Sequence, residues 1–97
     1  MNQEQARRAA NRIAAGHAYQ KHVIGNKEFG KPLRRSEFAL LIEHAILNCT
    51  YSRPLRRGRS AYWYRPELLL VIVDPTNVDG GTAYISESSL EDYRDLL

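Results

Sequence analysis

Apolar residues follow three different rhythms along the chain. Ala6, Ala9, Ala10, Ile13 and Ala18 recur at helical spacing, and good helix formers fill Gln3–Ala15 between them. This predicts a helix over Asn2–His22, with Gly16 either ending one helix and starting another or simply being spanned. The stripe is thin, so residues 1–15 read either as a linker or as an extended N-terminal helix. Gly25, Gly30 and Pro32 mark a loop. Phe38, Leu41, Ile42, Ala45 and Ile46 then define one buried face of a second helix. Ser36 is its candidate N-cap, Glu37 suits the first turn and Asn48 is a reasonable stop.

Beyond Arg53 the period shortens. Ser60–Tyr64 and Leu68–Val73 read as the strands of a hairpin turning at Arg65-Pro66-Glu67. Leu68–Val73 is apolar at every position, as in a central strand covered on both faces. "DPTNVDGG" is turn sequence, and Thr82–Ile85 is a third strand. Ser86 or Ser88 caps a short last helix, with Leu90, Tyr93 and Leu97 inward. The expected architecture is α+β: two N-terminal helices on a twisted antiparallel sheet of about four strands, with a short C-terminal helix.

Composition narrows the class. Ninety-seven residues make one domain. The longest apolar run, Leu68–Val73, is far too short to span a membrane. The N-terminal stretch lacks the apolar core of a secretory signal. The single cysteine, Cys49, excludes an intrachain disulfide and argues against a cysteine-based zinc site. The net charge is only +3, but Arg53, Arg56, Arg57, Arg59 and Arg65 crowd into one segment. Guanidinium groups present paired donors that match phosphate oxygens, so this cluster suits nucleic acid.

Three stretches carry candidate chemistry. In "GHAYQKH", His17 and Lys21 share a helical face, and His22 lies about 140° from His17 at about 100° per residue. That is poor metal-pair geometry, and no metal or cofactor is expected. Histidine titrates near neutrality, so acid–base work is the functional reading; half-exposed helix residues are the plain alternative. In "RPLRRGRSAYWYR", alternation puts Tyr62 and Tyr64 on one face and Trp63 with Ala61 on the other. Arginines beside aromatics suit unstacked RNA bases, although Trp63 reads as core. In "DPTNVDGGTAYI", the EF-hand spacing is missing. Asp79-Gly80-Gly81 reads instead as a tight turn that sends Thr82 and Tyr84 to one face.

The ordered set of HxxxKH, Glu28-Phe29, a second helix, "GRSAYW" and "DGGTAY" resembles known toxins. It is similar to the C-terminal nuclease domains of bacterial contact-dependent inhibition and related polymorphic toxins. More distantly it resembles colicin D-like tRNases, in the broad grouping of barnase, EndoU, colicin and RelE-type ribonucleases. The resemblance implies metal-independent RNA cleavage, with tRNA as substrate and a 2′,3′-cyclic phosphate as product. His22 or His17 would be the general base and the other the acid. Lys21 and Arg59 would stabilise charge, Thr82 would hold a phosphate oxygen, and Tyr84 would orient a base. Arg56, Arg57, Lys27 and Tyr62 would bind RNA. It further implies a monomer delivered as the end of a larger secreted protein into a target bacterial cytoplasm. An acidic immunity protein would cover the cleft. The rival expectation is a non-catalytic RNA-binding or protein-interaction module of the same fold.

Overall fold

The computed structural model describes residues 1–96, so the expected inward packing of Leu97 lies outside the described residues. In chain order come α1 (Gln3–Ala15), a π-helical turn (Tyr19–Gly25), α2 (Arg35–Leu47), β1 (Tyr51–Pro54), β2 (Ser60–Tyr64), β3 (Leu69–Val73), β4 (Gly81–Ile85) and α3 (Ser89–Asp95). The strands form an antiparallel meander, β1-β2-β3-β4. The class is α+β, with α1 and α2 packed on one face of the sheet and α3 on the other.

β3 is apolar throughout because both of its faces are covered. Leu69, Val71 and Val73 pack with Phe38, Ile42 and Ile13 of the helical layer. Leu70, between them in sequence, joins Trp63 and Tyr93 under α3. Fully burying a side chain such as Phe38 stabilises the fold by roughly 1.5–3 kcal/mol. Trp63 is core, as its alternation suggests, and its indole N–H donates to the buried Ser89 hydroxyl at 3.0 Å. The alanine stripe of α1 lets α2 approach closely, and Arg7 pairs with the buried Glu43 across that contact at 3.3 Å.

Several expectations need correction. Over Asn2–His22 the first of the two readings holds, with Gly16 ending one helix, but the chain re-enters as a wider π-helical turn: α1 stops at Ala15 and Gly16 is extended. The N-cap of α2 is Arg34, not Ser36; Glu37 Oε1 accepts the Arg34 backbone N–H at 2.8 Å, which starts the helix two residues earlier. Asn48 does end it. Leu68 lies outside β3 because it takes a left-handed φ of 50° to close the hairpin. β1 is the strand that periodicity does not reveal. Ser88 occupies the N-cap of α3 without a side-chain capping bond.

Candidate active site

The site begins where α1 breaks. Arg35 of α2 donates to the Ala14 carbonyl at 2.6 Å and lies 4.5 Å over the Tyr19 ring. It satisfies the carbonyl end of α1 and anchors the start of the next turn. That turn closes through five-residue hydrogen bonds, such as Asn26 N to Lys21 O at 2.8 Å. Gly16 is required here because a Cβ would sit 2.9 Å from Asp79 Cβ.

The facing wall is the loop 74–80. Arg12 of α1 clamps it, donating to Pro75 O at 3.1 Å and to Asn77 O. Gly81 then enters β4 at φ 129°, where a Cβ would collide with Ile72 O. Thr82 consequently pairs with Ile72 on the side of the sheet away from α1 and α2.

Between the π-helical turn and this loop lies a cleft of about 320 Å³. His17, Lys21, His22, Arg59 and Thr82 all line it. Regular helical spacing implies divergent histidines; the wide π-helical turn that carries His22 brings both to one cleft.

Each histidine is held by a carboxylate at Nδ1. His22, 8% exposed, bonds Glu28 Oε2. Glu28 is itself fixed, accepting from Asn26 Nδ2 at 3.0 Å and, through Oε1, from the Ile85 backbone N–H of β4 at 2.9 Å. The His22 ring stacks on Tyr84 with centroids 5.4 Å apart. His17 bonds Asp79 Oδ2 at 2.7 Å, with its side chain exposed to solvent. A partner at Nδ1 leaves Nε2 of each ring as the nitrogen available for proton transfer.

Tyr84 is held on two sides. Its ring face is occupied by His22, and its hydroxyl donates to Asp92 Oδ2 at 3.3 Å. Burial, then the Asp92 charge and hydrogen bond, push its phenol up to about 12. The ring thus supports His22 through one of its faces.

The basic residues separate into three groups. Lys21 and Arg59 reach the cleft, and neither makes an ion pair among the described residues. Arg56 and Arg57, exposed on the turn before β2, line an adjoining groove of about 520 Å³ that shares Arg59 and Asp74 with the cleft. Arg53 is structural: it donates to the Tyr93 and Leu96 carbonyls and lies 4.7 Å over the Tyr93 ring. Two expected RNA contacts lie elsewhere. Lys27 lines a separate pocket with Ile24 and Pro32. Tyr62 pairs with Val71 on the helix-covered face of the sheet. The third histidine, His44, bonds the Tyr64 hydroxyl away from the cleft.

Glu28 and Asp79, the carboxylates that bond His22 and His17, are the residues of the cleft that sequence reasoning did not place in these roles. Among the described residues, no three His, Cys, Asp or Glu side chains converge as metal ligands. No protein-family model matches the chain, and no curated protein or solved structure matches it.

Proposed function

We propose that the chain is an endoribonuclease that cleaves RNA through attack of the RNA's own 2′-OH. The observation that carries this reading is the pair of imidazoles, each bonded to a carboxylate at Nδ1, lining one cleft with Lys21, Arg59 and Thr82. His22 Nε2 takes the 2′-OH proton, and the 2′ oxygen bonds to phosphorus. The P–O5′ bond breaks, and His17 gives a proton to the leaving 5′ oxygen. The products are a 2′,3′-cyclic phosphate and a 5′-hydroxyl. Glu28 compensates the charge that His22 acquires and fixes its ring. Lys21 and Arg59 stabilise the added charge on the phosphorane, and the Thr82 hydroxyl donates to a phosphate oxygen.

His22 is the better base because it is locked by Glu28 and Tyr84, whereas exposed His17 can regain its proton from water. The sequence resemblance adds tRNA as the substrate and delivery within a larger secreted protein to a competing bacterium. It also adds a neutralising immunity protein. An acidic surface on that protein would complement Lys21, Arg56, Arg57 and Arg59.

The test is cleavage of tRNA and of synthetic RNA in the presence of EDTA. The expected outcome is cyclic-phosphate ends, with a 2′-deoxy sugar at the cut position blocking the reaction. Tight RNA binding without cleavage would favour the binding-module reading instead.

A further inference from the structure

We propose that Asp74 reads the base beside the scissile phosphate and selects one bearing an exocyclic amino group. The proposal rests on the ribonuclease reading above. Asp74 lines both the histidine cleft and the arginine groove, so it stands on the wall they share. A strand with its reacting phosphate in the cleft and the next phosphate at Arg56 and Arg57 passes this wall.

The side chain is held in place. Asp74 Oδ1 accepts from Thr76 N at 3.1 Å and from Thr76 Oγ1 at 2.8 Å, and its backbone N–H donates to Gly80 O at 2.8 Å. Oδ2 has no hydrogen-bond partner among the described residues. The Thr76 hydroxyl bond, and after it the neighbouring Arg59 charge, hold the carboxyl below its ordinary range.

A negative charge here repels the phosphates that Arg56, Arg57 and Arg59 attract. Its turn-forming role needs no charge, since asparagine or serine makes the same turn. A free carboxylate oxygen can only accept hydrogen bonds. The amino groups of adenine, cytosine and guanine supply the matching donors. Uracil offers only N3–H on that edge, between two carbonyl oxygens that a carboxylate repels. Asn77 adds a donor on the same wall. Its Oδ1 accepts from Asp79 N at 2.8 Å, which leaves Nδ2 for an acceptor next to the amine.

The experiment uses RNA oligonucleotides that differ only in the base flanking the cut. Cleavage by wild type is compared with cleavage by Asp74→Asn. Asparagine keeps the acceptor that Thr76 needs and turns the free oxygen into a donor. Wild type should favour amine-bearing bases over uracil by about tenfold or more, as one hydrogen bond to a charged group allows. Asp74→Asn should shift the preference toward uracil while melting like wild type. Binding of the same oligonucleotides to His22→Ala protein is measured in parallel, with and without Asp74→Asn. Cleavage with no base preference, or one that Asp74→Asn leaves unchanged, overturns the proposal and spares the ribonuclease reading. If nothing is cleaved, the ribonuclease reading falls. The binding arm then decides: a preference moved by Asp74→Asn supports the role of Asp74, and a flat profile ends it.

Discussion

The two histidine–carboxylate pairs are built from the same groups and sit in opposite settings. His22–Glu28 is nearly sealed, with side chains 11% and 15% exposed, and is tied to the β4 backbone and the Tyr84 ring. His17–Asp79 joins an 86% exposed ring to a loop that Arg12 holds. In the first pair the fold and the proposed chemistry share the same hydrogen bonds. In the second the chemistry hangs on the surface and can be changed with little effect on the core.

The largest expected contrast is in activity. His22→Ala should lower turnover by roughly 10²–10⁴, the span of a lost general acid or base. His17→Ala should lose less, because water or added imidazole can reach the open position and donate the proton. Single-turnover rates on tRNA, with and without imidazole, measure this. Equal losses and equal rescue for the two variants would break the contrast. Full activity in a folded double variant would remove histidine catalysis altogether.

A smaller contrast is in stability. Glu28→Ala leaves the Ile85 N–H and His22 Nδ1 without their acceptor, a cost of about 1–3 kcal/mol for a buried group. Asp79→Ala removes an exposed pair, worth less than about 1 kcal/mol. Urea denaturation of both variants gives the difference. A fall for Asp79→Ala as large as that for Glu28→Ala would mean that the loop wall, not the sealed pair, anchors this side of the fold.

The same contrast explains what could be read from the sequence. α2 is legible from its helical spacing and β2 from an alternation that its burial follows, β3 from an unbroken apolar run, and β4 from the Gly-Gly turn that precedes it. β1, "YSRP", is short, polar and mostly exposed, and ends in proline, so no alternation marks it. The break at Gly16 depends on Arg35 and Asp79, which no local window contains. His17, Lys21, His22, Arg59 and Thr82 could be named because their side chains advertise phosphate chemistry. Asp79 could not, because its role comes from a contact that folds the chain back on itself, to His17 across sixty-two residues; Glu28 lies only six residues from His22, but the Ile85 N–H that fixes it comes from fifty-seven residues away. The alternation of Tyr62 and Trp63 was readable, but not which face would be covered by helices; that placed Tyr62 away from the cleft.

The smallest expected effect concerns the support beneath His22. The Tyr84 phenol is pushed up to about 12, chiefly by burial and then by Asp92. An unfolded tyrosine loses its proton near pH 10. Between about pH 10 and pH 12 the folded chain therefore holds a proton that the unfolded chain has released, and stability falls as pH rises through that window. Tyr84→Phe cannot ionise and removes this component. Below pH 10 the two proteins should differ only by the lost 3.3 Å hydrogen bond to Asp92, at a roughly constant offset. Above it the wild-type melting temperature should fall more steeply than that of the variant, and subtracting the curves cancels the other five tyrosines, which both proteins keep. Parallel curves through pH 12 would mean that the Tyr84 hydroxyl is open to water. The sealed setting assigned to His22 would then be open on that side as well, and the two histidines would be more alike than their carboxylates make them.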